Sequence, residues 1–208
     1  MSPADTLDYH LSELRIAQDP SHPAHILPPA VPSGSRILDV GCGAGQTLIA
    51  AYADRVTFGI DIDFETLQIG STWTDQIRFV CGKAEGLPFR NDYFNLVIAR
   101  VSLAYTNIRP SLREIHRVLQ PGGTLWMTLH PLSIPWNTAK QSGLRGKVYF
   151  AYIAVNSLCF HFVQRQVSFF GRYESFQTER GIRRALYNAG FTSVTVTRDR
   201  HFVVTAHR

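Results

Sequence analysis

A chain of 208 residues with 45% hydrophobic and 18% charged residues is long enough for one globular domain with a sizeable core. Three widely spaced cysteines, Cys42, Cys81 and Cys159, argue against a disulfide framework or a zinc site and fit a reducing cytoplasm. Asp5 and Asp8 with no apolar run beside them argue against a signal peptide, and the longest apolar-rich stretch, about 148–163, is broken by Asn156 and His161 and is not expected to span a membrane. The net charge of +5 is unevenly spread: residues 1–130 hold 10 Lys+Arg against 13 Asp+Glu, and residues 131–208 hold 11 against 3, with 13 of the 24 aromatics. A basic, aromatic last third suits an anionic substrate, an acidic membrane surface or nucleic acid, and equally a solvated basic face.

Leu7, Leu11 and Leu14 predict a short amphipathic helix over 3–17, ended by Asp19-Pro20. Pro23, Pro28, Pro29 and Pro32 mark an extended connector that carries His22 and His25. Ile37, Leu38 and Val40 then read as a buried strand. Glycines at 41, 43 and 45 turn the chain, and Gln46–Tyr52 is helix-compatible. Strand, glycine turn and helix open a nucleotide-cofactor βαβ unit. The dinucleotide fingerprint G-x-G-x-x-G is not met, because the third glycine comes one residue early and Gln46 stands where that pattern wants glycine. Asp39 sits at the strand's end, where a carboxylate repels a pyrophosphate and attracts an ammonium or sulfonium.

A second strand over 55–61 ends in Asp61, whose two oxygens can accept from the two hydroxyls of a ribose. Asp63 is placed to cap a helix starting near Phe64. Strands follow over 76–81 and 92–100. A helix over 110–119 carries the stripe Leu112, Ile115, Val118 and Leu119, with His116 and Arg117 on its surface, and Pro121-Gly-Gly123 breaks it before a strand over 124–130. In 131–175, Leu144, Val148, Ala151, Val155, Leu158 and Phe162 share one helical face. Phe150, Ile153 and Phe160 lie off it, so that helix is expected to be well buried. Thr178 and Gly190 bracket a last helix, and 191–207 alternates around a turn at Asp199-Arg200.

Asp39-Val-Gly-Cys-Gly-Ala-Gly45 resembles motif I, D-x-G-x-G-x-G, of the class I S-adenosylmethionine-dependent methyltransferases. Gly82-Lys-Ala-Glu-Gly-Leu-Pro-Phe89 resembles their G-D-A-E-x-L-P-F segment, with Lys83 in place of the aspartate. Arg117-Val-Leu before Pro121-Gly-Gly is a third match. The chain is similar to the small-molecule type (methyltransferase type 11) that includes quinone C-methyltransferases. The resemblance implies an α/β, Rossmann-like, seven-stranded and mostly parallel sheet with helices on both faces and an antiparallel C-terminal strand. It implies one domain over 1–208: an N-terminal helix and connector (1–33), a cofactor-binding core (34–130), a substrate-lid insertion (131–175), and a C-terminal helix and hairpin (176–208).

The same resemblance implies S-adenosylmethionine as cofactor, S-adenosylhomocysteine as product, and no metal. The expected cofactor residues are Asp39, Gly41, Gly43, Gly45, Asp61, Ile62 against adenine, Ala84 through its backbone, Glu85 as substitute acceptor for the adenine amino group (the alternative being that this group faces water and binding is weaker), and Arg100 and Val101 beside the methionine part. Ser102 and Tyr105 are expected to face the transferred methyl. Tyr105 and His130 are the candidates for handling the acceptor's proton, each also readable as a wall of the pocket. The acceptor is expected to be a small molecule, hydrophobic or anionic, and the setting cytoplasmic. Three rivals stand beside this reading. One is an RNA methyltransferase, suggested by the basic last third and opposed by Ala99-Arg-Val-Ser102 where base N-methylation uses an N-P-P-[YF] motif. The others are a non-catalytic cofactor-binding protein, and a nicotinamide-dependent dehydrogenase, which Asp39 and Gln46 oppose.

Overall fold

Leu38, Val40, Val97, Ala99, Leu125 and Met127 pack into one hydrophobic cluster, while their sequence neighbours Ile37, Leu96, Ile98 and Trp126 pack into another. Alternate residues of a strand point to opposite faces, so these strands lie in a sheet covered on both sides. The computed structural model describes residues 3–129, 143–169, 171 and 173–208. In chain order the elements are α1 (Pro3–Gln18), β1 (Ile37–Val40), α2 (Gln46–Tyr52), β2 (Thr57–Asp61), α3 (Phe64–Trp73), β3 (Ile77–Cys81), β4 (Phe94–Arg100), a 3₁₀ turn (Ser102–Tyr105) and α4 (Ile108–Val118). They continue with β5 (Leu119–Leu129), α5 (Leu144–Val163), α6 (Glu179–Asn188), β6 (Thr192–Arg198) and β7 (Phe202–His207).

The seven strands run in the order β3-β2-β1-β4-β5-β7-β6. Pairings from β3 through β5 are parallel, and β7 runs antiparallel to both β5 and β6. This is the Rossmann-like sheet expected, with β7 as its single reversed strand. One face is covered by α4 (Ile108, Leu112, Ile115, Val118) and α6 (Ile182, Ala185, Leu186), and the other by α2 (Leu48, Tyr52) with Ile26 and Val31 of the connector. Each such buried side chain contributes about 1.5–3 kcal/mol, and truncating Leu112 to Ala would cost about 2–5 kcal/mol. The strand order reverses between β1 and β4, so the connections leaving these two strands part company at their carboxyl ends. A crevice opens there.

Several local expectations are corrected. Pro121-Gly-Gly123 does not precede β5 but bulges within it. Leu119 pairs with Phe94 and Thr124 with Leu96, and Gly122 and Gly123 exchange backbone bonds with Arg208. Arg117 is no simple surface residue. Its guanidinium donates to Glu114, to the Leu87 and Phe89 carbonyls and to Asn91, which pins the 87–91 segment to α4. His116 packs edge-on against Phe191. Among the described side chains of α1 the buried ones are His10 and Ala17, seven apart, while Leu7 is exposed. The largest correction is α5. The helix is not well buried: only Ile153, Asn156 and Phe160 are buried, and the apolar stripe faces outward. Asn156 explains the choice of face: its amide donates to the Val167 and Glu174 carbonyls and accepts from the Val167 N–H, so the polar side chain anchors the helix on the interior.

Candidate functional site

The chain leaves β1 through the glycine turn, and four N–H groups of that turn have partners within the protein. Gly41 and Cys42 donate to the Ile60 carbonyl, Gly43 to Asp61 Oδ2 at 2.9 Å, and Gly45 to the Cys42 carbonyl. A phosphate-binding loop instead aims such N–H groups at its anion. This turn is locked onto the end of β2, and what borders the crevice is a pair of carboxylates, Asp39 and Asp61. Gly41 is held at φ +74°, and a Cβ on it would stand 2.3 Å from Ser102 Cβ. Gly45 is at φ +85°, where a Cβ would strike Ile77 Cδ1 at 2.6 Å. The first and third glycines are therefore required by left-handed backbone and by close packing.

A cavity of about 1280 Å³ opens at the carboxyl ends of β1, β2, β4 and β5. Asp39, Gly41, Gly43, Asp61, Ile62, Ala84, Glu85, Arg100, Val101, Ser102 and Tyr105 all line it. Of the expected cofactor residues only Gly45 lies behind the wall, in the packing just described. Asp39 is buried, and burial, opposed by the Arg100 charge and reinforced by Asp61, pushes its carboxyl up to about 7. Its Oδ1 has no hydrogen-bond partner among the described residues, and neither has Thr128 Oγ1, buried on the same wall at the end of β5. A buried polar atom left unpaired costs about 1–3 kcal/mol, which a polar ligand group can recover. A cation beside Asp39 both supplies a partner and holds the carboxyl ionised.

Asp61 has structural work besides any ribose contact, since Oδ2 holds Gly43 and Oδ1 accepts from the Asp63 N–H. Asp63 caps α3 as expected, accepting from the Glu65 and Thr66 N–H groups. Glu85 Oε1 accepts from the Asn107 N–H at the start of α4, which leaves Oε2 for a ligand. Ile62 is 70% exposed on the cavity wall, an apolar surface against which a flat ring can lie. Val101 is at φ 63°, a conformation that a β-branched residue adopts only under strain, and it makes the sharp exit from β4 into the 3₁₀ turn. Ser102 lines the cavity and is tied to the end of β1. Its hydroxyl donates to the Val40 carbonyl and its Cβ supports Gly41. Tyr105 is exposed at the mouth, its phenol pushed up by burial, Glu174 and Tyr9, so it stays protonated at neutral pH. His130 lies outside the described residues.

The sequence reading did not single out the residues that α1 brings to the site. His10 is buried against the glycine turn, where Gln46 Nε2 donates to its Nδ1 at 2.8 Å. Nε2 then carries the proton and donates to Thr66 Oγ1 at 3.2 Å, and Thr66 in turn donates to Asp63. Burial holds the His10 pKa down, in keeping with this neutral form. Glu13 pairs with Arg100 at 3.4 Å, and Tyr9, His10 and Glu13 all line the cavity. Gln46, which departs from the dinucleotide pattern, is the residue that latches α1 over the turn. The signal in the sequence was the seven-residue spacing of His10 and Ala17. The β6–β7 turn also brings Arg198, Arg200 and His201 to the cavity, with Arg200 donating to the His22 carbonyl.

Sheet order, the reversed last strand and a crevice at the β1/β4 switch point define a Rossmann-like fold. Residues 38–127, somewhat under half of the chain, match the family model described as a methyltransferase domain. The chain is 36% identical over 114 residues to a demethylmenaquinone methyltransferase of Renibacterium salmoninarum, covering 52% of this chain and 47% of that protein. It is 32% identical over 103 residues to the uncharacterised methyltransferase YcgJ of Bacillus subtilis, covering 46% and 40%. The chain spans about half the length of the curated relatives it matches, from 40% to 56% in the first three. Among solved structures, a chain of the complex between the Haloferax volcanii Trm112 methyltransferase activator and a methyltransferase superposes with a TM-score of 0.67 at 18% identity, covering 98% of this chain and 94% of that one. That likeness concerns the fold.

Proposed function

We propose that the protein transfers the methyl group of S-adenosylmethionine to a small-molecule acceptor. The observation that carries the reading is the pairing of a buried carboxylate, Asp39, whose Oδ1 has no partner among the described residues, with a glycine turn in which the Gly41, Cys42, Gly43 and Gly45 N–H groups are already spent. That site favours a cation over a phosphate. In this reading Asp39 faces the amino-acid end of the cofactor, Asp61 takes the ribose hydroxyls, and Ile62 and the Ala84 backbone border the adenine. Glu85 Oε2 is the acceptor for the adenine amino group in place of the aspartate that Lys83 replaces. Arg100 and Val101 border the methionine part. The cavity exceeds the volume of about 300–1,000 Å³ usual for a single ligand, which leaves room for an acceptor between Tyr105, Leu129 and Phe202.

The chemistry is an in-line displacement. An O, N or C nucleophile of the acceptor attacks the sulfonium methyl carbon, the S–CH₃ bond breaks with its electron pair going to sulfur, and S-adenosylhomocysteine departs. The donor is already activated, so alignment and exclusion of water are the protein's principal tasks. Tyr105, protonated at neutral pH, donates a hydrogen bond to the acceptor, and His130 is the candidate base for acceptors that must lose a proton. Within 131–175, the expected lid, the described residues Gly171 and Tyr173 line the cavity. The relative named as a demethylmenaquinone methyltransferase supports an apolar ring acceptor. The test is transfer of label from methyl-labelled S-adenosylmethionine to a panel of naphthols, phenols and carboxylic acids. Label in a naphthol or phenol product is expected. Cofactor binding without labelling of any member of the panel would contradict the reading of the acceptor.

A further inference from the structure

The outward stripe of α5 is the largest feature that this activity leaves unused. Leu144, Val148, Val155, Leu158 and Phe162 are between 58% and 79% exposed, and Ala151 between them is exposed too. At 100° per residue these six positions fall within about 40° of one line along the helix. The buried residues Ile153, Asn156 and Phe160 lie on the opposite side. A row of large apolar side chains turned to water marks a surface that meets something else.

Charge says what that is. α5 contains Arg145 and Lys147 and no acidic residue. The two cations flank the stripe, about 100° to one side and about 60° to the other. They also sit in the first turn, where the helix dipole disfavours positive charge, so helix formation does not account for them. At the other end stand exposed Arg165 and Arg184, which donates to the Phe162 carbonyl. A second copy of the chain fits poorly. Pairing the stripes in parallel sets Arg145 and Lys147 against themselves, and antiparallel pairing sets them against Arg165 and Arg184. An apolar ridge edged by cations instead matches the boundary between headgroups and acyl chains of an anionic bilayer.

We propose that the protein docks on anionic lipid surfaces through the outer face of α5, the helix lying in the headgroup region without crossing it. Among the described residues no helix is long and apolar enough to cross a membrane. Ile153, Asn156 and Phe160 keep the inner face of α5 on the domain. The segment that leaves α5 carries Tyr173 to the cavity mouth, so the docked face and the mouth are joined by a short stretch of chain. This proposal does not depend on the identity of the cofactor.

The test is flotation of the full chain on a density gradient with vesicles of phosphatidylcholine alone, or mixed with phosphatidylglycerol. The chain should float with the mixed vesicles, float less as salt rises, and stay at the bottom with phosphatidylcholine alone. Val155→Glu with Leu158→Glu, at exposed positions that leave the thermal melt unchanged, should abolish flotation. Arg145→Gln and Lys147→Gln should each weaken partitioning about fivefold. Failure to float with the mixed vesicles would overturn the proposal, as would equal flotation of the doubly substituted chain. So would a dimer in sedimentation that those substitutions dissolve while vesicle binding is absent.

Discussion

Gly41→Ala puts a methyl group into the tightest contact of the site. The new Cβ would lie 2.3 Å from Ser102 Cβ, where unstrained carbons sit about 3.5–4.0 Å apart. Ser102 cannot easily retreat, because its hydroxyl is bound to the Val40 carbonyl and its backbone follows the strained Val101. Two costs add. A left-handed residue other than glycine costs about 1–2 kcal/mol and overpacking about 1–3 kcal/mol, so the variant should lose about 2–5 kcal/mol of stability. Gly34→Ala separates them, since Gly34 is at φ +83° with nothing within 4 Å and should lose only the backbone part. Urea unfolding followed by circular dichroism reads both, provided that the slopes stay equal. Adding Ser102→Gly to Gly41→Ala should relieve the contact part as a coupling energy of about 1 kcal/mol or more. If Gly41→Ala and Gly34→Ala lose the same stability and the double variant shows no coupling, the close approach of β1 to the β4 exit is not what demands glycine.

The Asp39 carboxyl, raised in the fold to about 7 from an ordinary 3.8, binds its proton more tightly folded than unfolded. Its contribution to stability is therefore present below pH 4 and lost as pH rises toward 7, so Asp39→Asn should gain on the parent chain across that window, an advantage that levels off above pH 7. A cationic ligand at this site should bind more tightly as pH rises to 7 in the parent and show a flatter profile in Asp39→Asn; calorimetric titrations at several pH values check both. His10→Ala removes the latch to Gln46 and Thr66, at a cost of about 1–3 kcal/mol, and should speed amide exchange in α1 while β4 and β5 stay protected. Arg117→Ala should cost about 2–4 kcal/mol in urea unfolding, and Arg117→Lys should recover less than half of it, because one ammonium cannot reach the Leu87 and Phe89 carbonyls, Asn91 and Glu114 together.

The strands and glycine turn were legible because both faces of the sheet are buried and the turn must be compact. Ile37 to Val40 could be little else than a central strand, and Asp39 with Asp61 followed from their places at strand ends. Caps were legible for the same local reason: Asp63 and Thr178 accept from nearby N–H groups as their positions suggest. Relations between distant segments were not. Nothing local says that Gln46 will meet His10 of α1, or that Arg117 will bind carbonyls of a loop some thirty residues earlier. For α5 a periodic stripe was read correctly as one helical face, but the helix was expected to be buried nearly all round and only one face is. Asn156 decided it, since its amide reaches two carbonyls and an N–H inside the domain. The apolar side chains opposite were left to whatever lies outside the protein.

The central claim is that the crevice above β1 and β2 takes S-adenosylmethionine. Isothermal titration of the protein with S-adenosylhomocysteine, beside an identical titration with NAD, tests it most directly. The account predicts saturable one-site binding of S-adenosylhomocysteine, a large loss of affinity in Asp61→Ala and no response to NAD. Absence of S-adenosylhomocysteine binding, or an Asp61→Ala variant that binds it as tightly as the parent, would contradict the account.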